Sequence, residues 1–319
     1  MALGEVRRTS RAMTLPLVTV CVPTHKRPEL LKRALDSVGT QSYGGPLACV
    51  ISENGRTRET MSIVTDARNR MPHISWILEQ STRVTSPVEN WRRAIVRAES
   101  SWVKILWDDD WMEQSFLERT MSVALSGNVQ VVTTAVRVVT PGGKARVIYA
   151  ETPAFEYQPL DTLLRRYTGL MPPLPVSPAA ALIDRECALQ ALDISRNLGD
   201  CFDRAVGPDL AMILDPALGN GGIAHIPEVL VNFWAGDDSI SMMSGELDLR
   251  FCYDRMLLSL CERHDVELPR DVRRRLQHRA FLAWIRRHPD RDQLLPPRLS
   301  LTRLAANVWD RRRRRLNRN

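Results

Sequence analysis

Three consecutive carboxylates follow a short apolar run and are the residues of this chain best suited to chemistry. The run Trp102–Trp107 has the length of a buried strand, and Asp108, Asp109 and Asp110 follow it with no basic residue adjoining them. Open α/β sheets bind ligands at the carboxyl ends of their strands, which is where these acids would lie. Because adjacent carboxylates repel one another, a hard cation such as Mg²⁺ or Mn²⁺, carrying a phosphorylated ligand, would stabilise them. The alternative is a solvated acidic turn after an edge strand.

Other polar residues fall at the same kind of position. Thr24 and Arg27 follow the first predicted strand, Glu53 follows the second, and Asn90 lies early in the helix before the fourth. Each alone has an ordinary explanation: a helix cap, a solvated charge, a turn residue and a polar residue in a first helical turn. Their joint placement along one edge of a sheet favours a shared ligand site.

The elements that would position these residues alternate from Leu17 onwards. Strand-like apolar runs lie at Leu17–Pro23, Leu47–Ser52, Ile74–Leu78, Trp102–Trp107 and Val129–Val139. Segments with helical periodicity lie between them, at Pro28–Gln41, Arg58–Arg70, Pro87–Ala98 and Gln114–Leu125. Strands alternating with helices of this length predict an α/β fold with a mostly parallel, Rossmann-like sheet flanked by helices.

The pattern is less regular after Pro141. A hairpin strand is expected at Ala145–Tyr149 and a loop over or beside the site at 169–175, where three prolines exclude regular structure. The later elements are a strand at Ala179–Ile183, a helix at Gly207–Leu218, a strand at Ile223–Trp234 and helices from Glu246 onwards.

The composition is that of a globular protein, with 44% hydrophobic and 25% charged residues. No apolar run reaches the ~18 residues of a membrane span, and the N-terminus lacks the apolar segment of a signal peptide. The six cysteines form no C-x-x-C pair, and two lie in predicted buried strands. These features predict reduced cysteines and a cytoplasmic protein.

The positive charge is concentrated at the C-terminus. From Arg270 onwards there are 16 arginines against 4 acids, whereas the first 269 residues hold 28 basic residues against 33 acids. Basic segments with interleaved apolar residues, as in Val272–Arg287, are typical of helices that bind an anionic membrane surface. The alternative is a solvated tail. No recognition motif supports a nucleic-acid partner.

Two phosphate-binding motifs are absent from the chain. There is no G-x-G-x-x-G after the first strand and no G-x-x-x-x-G-K-[ST] anywhere. A bound diphosphate would therefore be held by metal and side chains, which agrees with an acidic triplet.

The segments Leu17–Leu31, Ile51–Gly55 and Asp108–Asp110 together resemble family 2 glycosyltransferases with the GT-A fold. The first resembles the family's opening segment, the second its second-strand signature and the third its D-x-D metal motif. The resemblance covers residues 17 to about 125 well and is looser to about 241.

The resemblance implies roles for the residues that match the motifs. Asp110 would ligate Mn²⁺ or Mg²⁺, and Asp108 or Asp109 would reach the ribose or a metal-bound water. The residues that would line the nucleotide pocket or lie near the donor are Thr24, Arg27, Glu53, where the family usually has Asp, and Asn90.

Gly207–Leu210 resembles the family's acidic pair, whose second member is the catalytic base. Asp209 would be that base, and Pro208 replaces the first acid; the alternative is a helix N-terminal acid favoured by the dipole. Phe233–Ser241 resembles a later motif that carries a histidine, near whose position this chain has Gly236. The Q-x-x-R-W motif of processive enzymes is absent, which implies addition of a single sugar.

Three tryptophans are expected near the site. Trp107, Trp111 and Trp234 would either stack on sugar faces or belong to the core.

The function implied is inverting, metal-dependent and non-processive transfer from a UDP- or dTDP-sugar to a hydroxyl. The acceptor would be a polysaccharide, a lipid-linked glycan or a glycosylated natural product, at the cytoplasmic face of a membrane. The alternatives are a nucleotidyltransferase, disfavoured because the first loop lacks glycines, and a non-catalytic sugar- or membrane-binding relative.

Four parts of the chain are expected. A disordered N-terminus spans 1–16, a nucleotide-binding half 17–125 and an acceptor half 126–245, the two halves forming the GT-A domain of 17–245. A helical, arginine-rich extension spans 246–319.

Overall fold

A computed structural model describes residues 14–219, 221–236 and 246–285. The strands are β1 (Val18–Thr24), β2 (Leu47–Glu53), β3 (Ser75–Gln80), β4 (Trp102–Ile105), β5 (Trp111–Met112), β6 (Val131–Val139), β7 (Ala145–Ile148), β8 (Ala181–Asp184) and β9 (Ile223–Trp234). The helices are α1 (Pro28–Gly39), α2 (Arg58–Arg70), α3 (Pro87–Val96), α4 (Phe116–Ser126), α5 (Leu160–Tyr167), α6 (Arg185–Ser195), α7 (Asp200–Asp203), α8 (Pro208–Leu218), α9 (Glu246–Arg263) and α10 (Arg270–Ile285).

The nine strands of the described residues belong to one sheet, in the order β3-β2-β1-β4-β8-β6-β9-β5, with β7 paired to β6. The pairs among β1 to β4 are parallel, as predicted. Strand β8 is antiparallel to both of its neighbours, β4 and β6, and β5 is antiparallel to β9. The predicted α/β fold with a sheet flanked by helices is confirmed, but the sheet is mixed rather than mostly parallel, because the second half of the chain adds antiparallel strands.

Successive residues of a strand point to opposite faces of the sheet, and both faces are covered by helices. In β1, Val18, Val20 and Val22 pack with α1, α2 and α4 on one face, whereas Cys21 packs on the other. That second face is covered by α3, α6 and α8 and also by α9 and α10, which contribute apolar residues such as Met256 to the same core. The described part of the C-terminal extension is therefore part of the hydrophobic core.

One pair of cysteines departs from the sequence prediction. Cys201 of α7 and Cys252 of α9 form a disulfide with 5.6 Å between their Cα atoms. The other four cysteines are free. The prediction that all six are reduced is wrong for this pair, because the fold of α9 over α7 brings together two residues that are 51 positions apart.

Several predictions fall on residues that the structure does not describe. They concern residues 1–13, the later motif beyond Gly236, and the arginine-rich segment after Ile285. Within the described ranges, no helix has both the length and the apolar character needed to cross a bilayer.

Candidate active site

The acidic triplet occupies the turn between β4 and β5. Asp108, Asp109 and Asp110 are 6%, 8% and 4% exposed, so all three carboxylates are buried. The backbone N–H of Asp110 donates to the carbonyl of Trp107 (3.1 Å), which closes the turn. The alternative of a solvated acidic turn is therefore wrong, because these side chains point into the protein.

The loop after β1 contacts the first two acids. Asp108 accepts hydrogen bonds from Thr24 Oγ1 (2.7 Å) and the backbone N–H of His25 (3.3 Å). Arg27 Nη1 lies 3.1 Å from Asp109 Oδ2 and 3.5 Å from Asp108 Oδ1. The two loops thus meet at one sheet edge, as expected from parallel strands. Burial, with the charge of Asp109, raises the pKa of Asp108 to about 6, although Thr24 and Arg27 oppose the shift.

The third acid has a different environment. Asp110 Oδ1 accepts a hydrogen bond from the backbone N–H of Trp234 (3.0 Å), at the end of β9. Burial, and then the charge of Asp109, raise the pKa of Asp110 well above its ordinary value, while the charge of Lys104 opposes this. Lys104 is fully buried in β4, and burial lowers its pKa to about 7. Sequence reasoning did not identify Lys104 as a cation whose charge acts on Asp110.

Arg33 of α1 is the second cation that sequence reasoning missed. Its Nη2 donates to the backbone carbonyl of Asp109 (2.6 Å). Its guanidinium lies over the rings of Trp111 (4.1 Å to the centroid) and Trp234 (4.9 Å). No local signal identifies this arginine, because its partners follow it by more than 70 residues.

The three tryptophans have protein partners. Trp111 and Trp234 each present a ring to Arg33, whereas Trp107 packs on Trp91 (4.6 Å between centroids) and donates to Ser177 Oγ (3.0 Å). Trp107 therefore has the role expected of a core residue.

Asn90 of α3 bridges the first two strands. Its Oδ1 accepts from Ser52 Oγ (2.8 Å), and its Nδ2 donates to the carbonyl of Thr24 (3.3 Å). The amide thus fixes the end of β1 at the point where the chain turns towards Asp108.

The carboxylate of Glu53 is bonded to the turn that follows β2 and to the end of the neighbouring strand β3. It accepts hydrogen bonds from Thr57 Oγ1 (2.6 Å), Thr60 Oγ1 (2.9 Å) and Gln80 Nε2 (2.7 Å). Burial alone would raise the pKa of Glu53, but these hydrogen bonds outweigh it and lower the pKa. The contacts are those of a residue that fixes the β2–α2 connection.

Asp209 lies in the first turn of α8 and is buried. Its Oδ1 accepts from the backbone N–H of Gly207 (2.8 Å), and its Oδ2 accepts from the hydroxyl of Tyr253 in α9 (2.7 Å). Burial raises the pKa of Asp209 to about 6, against these hydrogen bonds. The Gly207 contact matches a helix-terminal acid, and the raised pKa matches a proton acceptor near neutral pH. These contacts join Asp209 to α8 and α9 rather than to the acidic turn.

The carboxylate oxygens of the triplet are the ligands that Mg²⁺ and Mn²⁺ prefer. In the part of the chain that the structure describes, no three His, Cys, Asp or Glu side chains are already grouped as metal ligands. Magnesium is commonly held by one or two carboxylates together with substrate phosphates and water. The raised pKa of Asp110 is also the effect that a bound cation would reverse. The donor set therefore fits such an ion in the presence of a diphosphate.

Two concave regions lie away from these residues. A groove of about 910 Å³ follows α2, lined by residues that include Arg56, Arg58 and Asn69. A cleft of about 560 Å³ opens beside the start of β9, lined by residues that include Asn128 and Tyr157. Neither is lined by a predicted site residue.

Residues 16–215 match the sequence profile described as "Glycosyltransferase like family 2". A similar protein is the GalNAc(5)-diNAcBac-PP-undecaprenol beta-1,3-glucosyltransferase of Campylobacter jejuni, 27% identical over 117 residues. That match covers 37% of this chain and 37% of the relative, so it spans well under half of either protein.

Crystal structures of S. aureus TarS have a similar fold. TarS 1–349 in complex with UDP-GlcNAc has a TM-score of 0.57 at 14% identity, covering 88% of this chain and 84% of that one. The complex with UDP has a TM-score of 0.56 at 16% identity, covering 87% and 83%. At these identities the likeness concerns the fold.

Proposed function

The chain belongs to family 2 of the glycosyltransferases, and we propose that it transfers one sugar from a nucleotide-diphospho-sugar to an acceptor hydroxyl. The observation that carries the proposal is the junction of the loop after β1 with the acidic turn after β4. Thr24 and Arg27 contact Asp108 and Asp109 there. A nucleotide-sugar requires such a mixed site, with cations for its phosphates and acceptors for its hydroxyls.

The nucleotide half of the donor, from a UDP- or dTDP-sugar, is assigned to this sheet edge. The residues assigned to it are Thr24, Arg27, Glu53, Asn90, Asp108 and Asp109. Glu53 and Asn90 would act through the turns that they hold, since their polar atoms already bond to neighbouring side chains and backbone. Arg27 is the residue of this group that brings positive charge to the phosphates.

Asp110 would hold the divalent cation, Mn²⁺ or Mg²⁺. When bound, the ion neutralises the charge that develops on the leaving diphosphate. The chain's own contribution is to fix Asp110 through the Trp234 N–H and to offset the acids with Lys104 and Arg27.

Asp209 is proposed as the catalytic base. With a pKa of about 6 it is ionised at neutral pH and accepts the proton of the acceptor hydroxyl as that oxygen attacks the anomeric carbon. Attack from the face opposite the leaving diphosphate inverts the anomeric configuration. The lack of a Q-x-x-R-W motif supports the addition of a single sugar.

The acceptor is proposed to be a lipid-linked glycan. The Campylobacter jejuni relative carries PP-undecaprenol in its name, which supports an acceptor of this chemistry here. A polysaccharide or a glycosylated natural product would meet the same site with the same hydroxyl chemistry.

A peripheral position at the cytoplasmic face of the membrane would suit that acceptor. In α10, Arg270, Arg273 and Arg274 are exposed, whereas Arg279 is held inside by Asp254 (2.8 Å). The exposed arginines, with the basic sequence that follows, support binding to anionic lipid, at about 1 kcal/mol per basic residue near the surface.

The test is a nucleotide-sugar panel with lipid-linked and soluble acceptors, with and without Mn²⁺, scored for release of nucleoside diphosphate. We expect acceptor-dependent release from one UDP- or dTDP-sugar that requires the metal, with an inverted linkage in the product by NMR. Release from no sugar nucleotide under any of these conditions would overturn the proposal.

A further inference from the structure

Arg33 occupies an aromatic slot directly beside the acidic turn. The guanidinium carbon lies 4.1 Å from the ring centroid of Trp111 and 4.9 Å from that of Trp234. Its Nη2 donates to the carbonyl of Asp109 (2.6 Å). Two aromatic rings and one carbonyl therefore hold this cation in position.

Within the described ranges, no carboxylate directly contacts the guanidinium of Arg33. Its one hydrogen-bond acceptor there is a neutral carbonyl, and its buried Nε has no hydrogen-bond partner. The residue is half-buried, so part of it faces solvent. Arg27, by comparison, contacts both Asp108 and Asp109. A rigidly held cation without a direct counter-charge is suited to receive an anion.

The neighbours of Arg33 indicate which anion it would bind. Arg33 is close enough to Asp110 and Asp109 for their charges to act on it, so it shares the region assigned to the metal and the diphosphate. A diphosphate bound there would lie beside three carboxylates, so it needs positive charge beyond the cation that Asp110 would hold.

We infer that Arg33, held between Trp111 and Trp234, is a further donor-site residue that binds the diphosphate of the nucleotide. The inference rests on the proposed function. During transfer, the bond between the anomeric carbon and the phosphate oxygen breaks, and its electron pair remains on the diphosphate. The acceptor oxygen forms the new bond and its proton passes to Asp209. Arg33 then stabilises the charge left on the diphosphate.

The experiment compares UDP with UMP, because only the former carries the second phosphate. Affinities are measured by calorimetry in excess chelator and again in Mn²⁺, with dTDP and dTMP in parallel, for the wild type, Arg33→Gln, Arg33→Lys and Lys32→Met. Arg33→Gln keeps a polar, planar end group on a shorter side chain and removes the charge, together with the Nη2 that donates to the Asp109 carbonyl. Lys32→Met is the matched control, since Lys32 is an exposed cation on the same helix, paired with Asp36.

We expect Arg33→Gln to weaken binding of the nucleoside diphosphate about 10- to 100-fold, the effect of losing a charged hydrogen bond. The monophosphate should change less than about 3-fold, and Lys32→Met should change neither. Arg33→Lys, which keeps the charge, should lose less than Arg33→Gln.

Equal losses for diphosphate and monophosphate would make Arg33 a structural residue and overturn the inference, as would unchanged binding of both. If Arg33→Gln fails to fold by circular dichroism, Arg33→Lys decides: a loss confined to the diphosphate supports the inference, and any other pattern overturns it. Either negative result in an enzyme that is active on the sugar panel leaves the proposed function standing.

Discussion

Replacement of Asp209 by asparagine separates the two roles that its contacts allow. The change is nearly isosteric. The amide oxygen can still accept from the Gly207 N–H, and the amide nitrogen can donate to the oxygen of Tyr253, so the geometry of α8 should persist. What disappears is the ability to accept a proton. If Asp209 is the base, turnover should fall by about 10²- to 10⁴-fold with little change in donor affinity.

Although its turnover should fall, the same variant should be at least as stable as the wild type at high pH. Burial raises the pKa of Asp209 from 3.8 to about 6. The folded state therefore holds its proton more tightly than the unfolded chain, and wild-type stability falls as pH rises from about 4 to 6. The resulting penalty, fully present above pH 6, is roughly 3 kcal/mol at 1.36 kcal/mol per pKa unit. Asparagine does not ionise, so the free energy of unfolding of Asp209→Asn at pH 8 should equal or exceed that of the wild type, by at most this amount.

The assay combines single-turnover rates with urea unfolding at pH 5 and pH 8. Wild-type turnover should fall below about pH 6 as the base becomes protonated. Tyr253→Phe provides the companion test, because the Tyr253 hydroxyl lowers the pKa of Asp209. Removal of this hydroxyl should raise the pH below which turnover falls. Wild-type turnover in Asp209→Asn would refute the reasoning and leave Asp209 as a helix-terminal acid.

Three further predictions address the metal, the disulfide and the tail. Asp110→Ala should abolish Mn²⁺-dependent donor binding in calorimetry with unchanged circular dichroism; undiminished activity in this variant, or full activity in excess chelator, would contradict the metal assignment. Cys252→Ser should lower the free energy of unfolding by about 4 kcal/mol, the entropic effect expected for a link across 51 positions, whereas Cys187→Ser should not; six alkylated thiols in the untreated wild type would show that the bond is absent. Removal of residues 296–319 should weaken pelleting with anionic vesicles, in a manner that high salt mimics because the Debye length is only ~8 Å, and should spare transfer to a soluble acceptor; equal pelleting of both forms would refute the anchor.

Local patterns in the sequence predicted most of the strands and helices of the fold. Helix α2 begins and ends at the predicted residues Arg58 and Arg70, and β9 matches its predicted range Ile223–Trp234. Helices α5, α6 and α7 were not predicted. For α6 a signal was present, since the side chain of Asp184 caps its first turn by accepting from the Cys187 N–H (3.0 Å).

The sequence also predicted that part of the site lies together, because of how parallel strands end. Residues that directly follow parallel neighbouring strands must meet at one edge, so Thr24 and Arg27 could be assigned to the same region as Asp108 without coordinates. The family resemblance supplied the proposed roles. The hydrogen bonds of Glu53 with Thr57, and of Asn90 with Ser52 and the carbonyl of Thr24, could not be read from that resemblance.

Charge balance was decided only by the tertiary structure. The sequence shows no basic residue adjoining Asp108–Asp110, yet Arg27 and Arg33 reach that turn from the other end of the nucleotide-binding half, and Lys104 acts on it from within β4. The pairing of Cys201 with Cys252 and of Asp209 with Tyr253 likewise depends on how α9 packs on the sheet. Periodicity determines which face of an element is buried. Which charges meet depends on the packing of whole elements, since Arg27 and Arg33 lie 82 and 76 positions before Asp109, and that information is not local in the chain.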